Sequence, residues 1–337
     1  MKRKIRVVQF GVGPIGASIA RLMRQNPSLE IVGAVDKDPL KAGRDLSGIV
    51  GASDRPWGIT IFPEIAAVLE KSADVVIHTT SSYLVNVIDE LLACIGRGCC
   101  VVSTCEELSY PFHKHPQLSA KLDAAARQAG VALVGTGVNP GFVMDKLVLT
   151  LSAAAQRVDW AGAMRIVDAS KRRLPLQKKI GAGLQCEEFC EQVAAGRIKH
   201  HGLPESIAMV ADGFGFALDD ISETIEPILA EETVKTEFLE VAPGQVAGVH
   251  QIARGTSAGQ EKVFMELKMY VGARQPSDTV ELRGEPNLSM TIPGGIHGDL
   301  ATAAIAVNAI PAIVQAPAGL RTVRDLPLAF FPPAPIS

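Results

Sequence analysis

The spacing of apolar positions divides the chain into two patterns. From Lys4 to Gly137, short continuous apolar runs alternate with stretches of helical periodicity. Runs at residues 5–10, 30–35, 74–78, 99–103 and 131–134 are short and evenly apolar, as strands buried on both faces are. Between them, Ile15, Ile19, Leu22 and Met23 recur at helical spacing, as do the apolar residues of 84–95 and 117–129. A short strand at 59–62 and a helix at 65–71 are expected, with polar loop over 37–57. Strand–helix alternation of this kind predicts an α/β, doubly wound parallel sheet. The pattern changes after Asn139-Pro140-Gly141. Residues 159–168, 236–241, 248–254, 263–271 and 278–283 read as strands, with helical stretches at 184–193 and 206–218. They predict a separate α+β domain with a mainly antiparallel or mixed sheet. An Ala-rich helix at 300–314 closes the chain and is expected to return to the first domain. The expected boundaries are 1–143 with 298–337, and 144–297. The proline-rich end, 331–337, is expected to be extended.

Chemistry enters at the first strand-to-helix turn, Gly11-Val12-Gly13-Pro14-Ile15-Gly16. Glycines there let backbone N–H groups approach a dinucleotide pyrophosphate without a Cβ clash, and the helix start adds unpaired donors. The second strand ends on Asp36, twenty residues beyond Gly16, where an acid reaches a ribose hydroxyl. The motif in this context predicts a Rossmann-type nicotinamide nucleotide site built by Gly11, Gly13, Pro14, Ile15, Gly16, Asp36 and Lys37. Asp36 favours NAD, and Lys37 beside it can offset the 2′-phosphate of NADP, so both cofactors fit this reading. At the carboxyl end of strand 74–78 stand Thr79, Thr80, Ser81 and Ser82. They suit close approach of the nicotinamide ribose, or alternatively an N-cap for the helix at 84–95.

Composition narrows the class. In 337 residues, 47% are hydrophobic and 20% charged, enough for two domains with sizeable cores. A net charge of −3 exerts no general attraction towards nucleic acid or anionic membrane. The basic runs Lys171-Arg172-Arg173 and Lys178-Lys179 read as solvated surface. Six cysteines form no CxxC pair or metal-ligand repeat, consistent with reduced thiols in a cytoplasmic protein. The apolar stretch 301–320 is broken by Asn308, Pro311, Gln315 and Pro317, so no membrane span is expected. His113/His115 and His200/His201 have no acid or Cys companions at metal spacing and read as surface residues; no metal is expected.

Two stretches lie at carboxyl ends of expected strands. The first is Ser103-Thr104-Cys105-Glu106-Glu107-Leu108-Ser109-Tyr110-Pro111. Glu106 and Glu107 are acid–base candidates, because a carboxyl group in an apolar cleft has its charged form disfavoured. In an extended segment their side chains point to opposite faces, and Glu106 lies nearer the strand end. Cys105 offers a nucleophile, as in acylating or semialdehyde dehydrogenases. The second stretch runs from Gly135-Thr136-Gly137-Val138-Asn139-Pro140 through Gly141-Phe142-Val143-Met144-Asp145. Asn139 can serve cofactor or substrate as both donor and acceptor, with Phe142 beside it; the alternative is a hinge turn. In the second domain, Arg165 could pair a substrate carboxylate, Asp168 a second ammonium group, and His250 could face a cleft. The other reading of all three is sheet-surface charge.

Together these stretches resemble the 2,4-diaminopentanoate dehydrogenase family, which includes the native amine dehydrogenases and shares a dihydrodipicolinate-reductase-like architecture. The similarity continues through Leu176-Gln177-Lys178-Lys179-Ile180-Gly181-Ala182-Gly183 and the ending from Gly298 to Pro327. The resemblance implies NAD(P)-dependent oxidative deamination of an amine to a ketone or aldehyde plus ammonia, reversible as reductive amination. It also implies a catalytic Glu at 106 or 107, and a homodimer. The reductase's His-His pair followed by Lys is missing, since His200-His201 leads into Gly202-Leu203-Pro204-Glu205. Two other readings stand beside it: a dehydrogenase using Cys105, and a non-catalytic NAD(P)-binding regulator.

Overall fold

The computed structural model of the chain describes residues 3–51, 55–68 and 73–330. The expected tail at 331–337 and the end of the expected helix at 65–71 lie outside them. The chain forms two compact units, Met1–Phe142 with His297–Ser337, and Val143–Ile296.

The first unit opens with β1 (Ile5–Phe10), α1 (Pro14–Gln25) and β2 (Leu29–Val35). Then come α2 (Leu46–Val50), β3 (Ile61–Phe62), α3 (Ile65–Val68) and β4 (Val75–His78). α4 (Leu84–Gly96), β5 (Cys100–Ser103), α5 (Pro116–Ala129) and β6 (Ala132–Gly135) follow. Within the expected loop 37–57, α2 forms because Asp45 accepts the Ser47 amide and its carboxylate also gathers the Trp57 and Ile59 amides. Polar composition concealed that cap.

The second unit contains α6 (Lys146–Leu151), β7 (Arg157–Asp168), α7 (Leu174–Lys179), α8 (Cys186–Ala194) and α9 (Leu203–Phe214). β8 (Asp220–Leu229), β9 (Val234–Lys235) and β10 (Glu240–Val241) come next. β11 (Val246–Ser257), β12 (Gln260–Tyr270), β13 (Ser277–Glu285) and β14 (Leu288–Pro293) complete it. Its six-stranded sheet runs β14-β13-β7-β12-β11-β8 and is mixed, because β12 and β7 are parallel while the other pairs are antiparallel. α9 packs on β8, β11 and β12. Val263, Met265 and Leu267 of β12 and Gln251 and Ala253 of β11 are buried, whereas their alternate neighbours are half-exposed. The stretch 236–241 is not a strand of this sheet. Thr236 Oγ1 accepts the Phe238 and Leu239 amides, turning the chain so that β9 and β10 pair only with each other.

The chain re-enters the first unit with α10 (Gly298–Gln315) and β15 (Gly319–Arg321). The completed sheet has order β15-β6-β5-β4-β1-β2-β3 with every pair parallel. α10 is long and apolar enough to cross a membrane, yet it packs on α1 and β5 and buries Ala303, Ala306, Ile310 and Ile313. β1 lies between β2 and β4, so the chain reverses direction of winding there, and crevices open beyond the carboxyl ends of these strands.

Candidate active site

The three glycines of the first turn have three separate roles. Gly11 has φ +90, open to glycine at little cost, and a Cβ there would lie 2.5 Å from the Thr79 carbonyl oxygen. A Cβ on Gly16 would lie 2.0 Å from the Gly11 carbonyl oxygen, so this glycine lets α1 pack against the turn. A Cβ on Gly13 would meet nothing within 4 Å among the described residues. That opening would admit a pyrophosphate to the backbone. Ala17 makes the first intrahelical bond, to Gly13, and no side chain caps α1. The amides of Ile15 and Gly16 precede that bond and lack an intrahelical acceptor. Pro14 sets the backbone for the first turn without adding a donor. The turn fits the phosphates of a nicotinamide dinucleotide.

Asp36 stands beside it. Its carboxylate accepts the Val12 amide at 2.7 Å, the Asp38 amide at 2.9 Å and Lys41 Nζ at 2.9 Å. Burial alone would raise its pKa, but these donors outweigh burial and hold the carboxyl below its usual range. Lys37 points elsewhere, with Nζ 2.6 Å from Glu90 Oε1. Thr79 is a correction: its hydroxyl donates to the Gly11 carbonyl at 2.8 Å and receives Gln9 Nε2, so it braces the glycine turn from within. Thr80 Oγ1 donates to Glu90 Oε2, and Ser81 Oγ accepts the Tyr83 amide. None of these hydroxyls caps α4, which corrects the N-cap alternative.

That cap is Glu107, whose Oε2 accepts the Leu84 amide at 2.7 Å. Lys114 Nζ donates to its Oε1 at 2.5 Å and His115 Nε2 to its Oε2 at 2.9 Å. The Glu107 side chain is 3% exposed. Burial pushes its pKa up, but Lys114, the Leu84 amide and His115 carry it below the usual value. Glu107 is thus an ionised brace, committed to the fold. Glu106 is half-buried on the adjacent position. Residues Glu106–Leu108 form a 3-10 turn, not an extended segment. The two side chains therefore diverge by about 120° around the turn instead of taking opposite faces. Gly135 makes room for this turn, since a Cβ there would lie 2.4 Å from the Leu108 carbonyl carbon.

Cys105 is buried with Sγ donating to the Ser82 carbonyl at 3.3 Å. Burial drives its thiol pKa strongly upward, which corrects the nucleophile reading: no thiolate forms near neutral pH. Asn139 is 7% exposed, and neither Nδ2 nor Oδ1 has a partner among the described residues. An unpaired buried amide costs about 1–3 kcal/mol, which marks Asn139 as a candidate to meet a ligand or a water through both atoms. Phe142, three residues on, is half-buried.

In the second unit, Arg165 is a correction. It is 4% exposed, lies opposite Asp278 in the β7–β13 pairing, and donates through Nε to Asp278 at 2.7 Å and through Nη2 to the Ile296 carbonyl at 2.9 Å. Asp168 accepts the Ser170 amide, and His250 Nε2 is 2.7 Å from Glu266 Oε1. All three have partners within the second unit, Arg165 and His250 across the sheet and Asp168 in the turn that follows β7. Two surface readings also change. Arg172 is buried, and burial, with Lys179, Arg165 and His201 nearby, lowers the His200 pKa to about 3. His78 and Glu90 escaped the sequence reading; the available signal was a histidine ending an otherwise apolar strand.

Comparisons with known proteins follow the same lines. The model of the 2,4-diaminopentanoate dehydrogenase C-terminal domain matches residues 142–331, and that of the dihydrodipicolinate reductase N-terminus matches residues 5–105. The chain is 30% identical over 331 residues to a 2,4-diaminopentanoate dehydrogenase of Acetoanaerobium sticklandii, covering 96% of this chain and 94% of that one. It is 28% identical to an amine dehydrogenase of Streptomyces virginiae, covering 96% of each. The solved structure of an amine dehydrogenase from Mycobacterium smegmatis superposes with a TM-score of 0.85 at 27% identity, covering 98% of each chain. Matched through its C-terminal model and along nearly its whole length, the chain belongs to the 2,4-diaminopentanoate dehydrogenase family and is an NAD(P)-dependent dehydrogenase acting on amines.

Proposed function

We propose that Glu106 is the acid–base group for oxidative deamination of a primary amine, reversible as reductive amination of a ketone or aldehyde with ammonia. The observation that carries this assignment is the division of labour within one turn. Glu107 is committed to three donors that brace the turn, and the adjacent carboxylate, Glu106, is half-buried past the carboxyl end of β5, where substrate could reach it. The glycine turn, Asp36 and Asn139 would hold the cofactor. When bound, the nicotinamide supplies a hydride acceptor or donor. Loss of hydride from the amine-bearing carbon leaves an iminium, which water attacks. A carboxylate at Glu106 can take the proton from that water and stabilise the cation. Asn139 would orient the carboxamide or the amine through its unpartnered donor and acceptor.

Cofactor preference follows from the charges beside the turn. Asp36 retains lone pairs for ribose hydroxyls, while Lys41 and Lys37 are already paired with carboxylates. This arrangement supports NAD over NADP. We assign the second unit to substrate binding and dimerisation, and its half-exposed sheet face with Ile252, Phe264 and Tyr270 fits the latter. The test is nicotinamide oxidation with a panel of ketones and aldehydes, with and without ammonium. Turnover that requires ammonium is expected; turnover with carbonyl compounds alone would contradict the assignment.

A further inference from the structure

A polar chain runs from the surface into the first unit at the carboxyl ends of β4 and β5. Lys37 Nζ donates to Glu90 Oε1 at 2.6 Å, and Glu90 Oε2 lies 2.9 Å from His78 Nε2. On the other side of the ring, His78 Nδ1 lies 2.9 Å from Ser103 Oγ. Ser103 Oγ in turn accepts the Cys105 amide at 3.1 Å. The proton count orders the chain. Glu90 is an ionised carboxylate and can only accept, so the ring proton that faces it sits on Nε2; Nδ1 is then left to accept from the Ser103 hydroxyl, whose oxygen also accepts the Cys105 amide. The His78 side chain is 0% exposed, and Phe10 packs edge-on against the ring at 5.3 Å. Thr80 Oγ1 adds a second donor to Glu90 Oε2. Burial opposes the Glu90 charge, but His78, Lys37 and Thr80 bring its pKa down to about 2.

The position of this chain gives it a consequence. The Cys105 amide is the last backbone N–H before Glu106, and the Cys105 carbonyl that follows it accepts the Leu108 amide. Beyond Glu106, Glu107 is fixed to the Leu84 amide, and the Glu107 amide donates to the Ser82 carbonyl. Glu106 therefore stands between two anchors, one made by Glu107 and the other by His78 through Ser103. We propose that His78 is a positioning residue for the Glu106 carboxylate, acting through Ser103. This inference rests on the assignment of Glu106 as the acid–base group. A reacting group displaced by about 1 Å loses on the order of 100-fold in rate, so a loosened anchor lowers kcat before it affects cofactor binding.

The experiment separates the two ring nitrogens in the full-length enzyme. In His78→Asn the amide takes the place of Nδ1 and keeps Ser103; in His78→Gln it takes the place of Nε2 and keeps only Glu90. Reductive amination with saturating ammonium is measured for both, beside Ser103→Ala and Glu106→Gln, with unfolding temperatures recorded. His78→Asn is expected within about threefold of the parent kcat, and His78→Gln and Ser103→Ala about 10- to 30-fold lower, with KM for NAD within about twofold. Equal losses in the Asn and Gln variants, tracking their unfolding temperatures, would reduce His78 to a structural residue and overturn the proposal. If His78→Gln does not fold, Ser103→Ala decides, because parental kcat there also overturns it. Glu106→Gln keeps the two claims apart. An inactive Glu106→Gln beside parental His78 and Ser103 variants refutes the positioning role alone. A fully active Glu106→Gln refutes the catalytic assignment.

Discussion

The polar residues of the two units are arranged on different principles. In the first unit, the proposed site residues stand past the ends of buried strands, where the chain turns and no neighbouring strand lies opposite. Asp36, Glu106 and Asn139 are all of this kind. In the second unit, charges lie along the strands and find partners across the sheet: Arg165 with Asp278, His250 with Glu266, Arg254 with Glu261. A charge on a strand face is within reach of opposite and diagonal neighbours, and these pairs stabilise the sheet. On the proposed assignment, chemistry is presented where the ladder ends.

The sharpest way to break this contrast is Arg165→Ala. Removing one partner of a buried ion pair leaves Asp278 without its cation, and a loss of about 3–5 kcal/mol is expected. Denaturant unfolding measures it; a change below about 1 kcal/mol would show that the pair is not structural. Gly13→Ala should act on the other unit in the opposite manner. Its Cβ meets no described atom within 4 Å, so the unfolding temperature should stay constant while NAD affinity falls about 10-fold or more, as methyl and pyrophosphate compete for one space. Titration of cofactor fluorescence checks this. Asp36→Ala should follow, with the NAD-to-NADP ratio of kcat/KM falling by roughly 10-fold as the ribose loses a charged acceptor.

Acid titration draws the contrast differently. The Glu90 pKa is depressed, so its contribution to stability is complete above the unfolded value of about 4.3 and is lost as pH falls. The loss runs down to about 2. Glu90→Gln should flatten the fall of unfolding temperature across that window. The smallest effect is expected for His250→Gln, since a partly exposed pair contributes about 0–1 kcal/mol.

How much was legible in the sequence follows the same physical division. Strands buried on both faces, such as Val75–His78, are apolar throughout and end at polar residues, so their limits could be read closely. β8 was missed because it is an edge strand with Glu223, Glu226 and Pro227, whose unpaired side tolerates charge and proline. β15 was missed because three residues carry no period. At the candidate site, glycine spacing marked the turn after β1, and the paired acids were visible as candidates. Their roles were not, because Glu107 acquires its function from Leu84, Lys114 and His115, which chain folding alone brings to it. Likewise Arg165 offered a free guanidinium until the register of β7 against β13 placed Asp278 opposite.

The central claim is that adjacent carboxylates have separate duties, Glu106 in catalysis and Glu107 in holding the turn. It is tested most directly by measuring kcat and unfolding temperature together for Glu106→Gln and Glu107→Gln. Glu106→Gln should lower kcat by about 100-fold or more with NAD binding and unfolding temperature retained. Glu107→Gln should lower the unfolding temperature, since a buried acceptor of charged donors is weakened, and lower kcat less. The reverse pattern, with Glu107→Gln stable but inactive and Glu106→Gln active, would contradict the account.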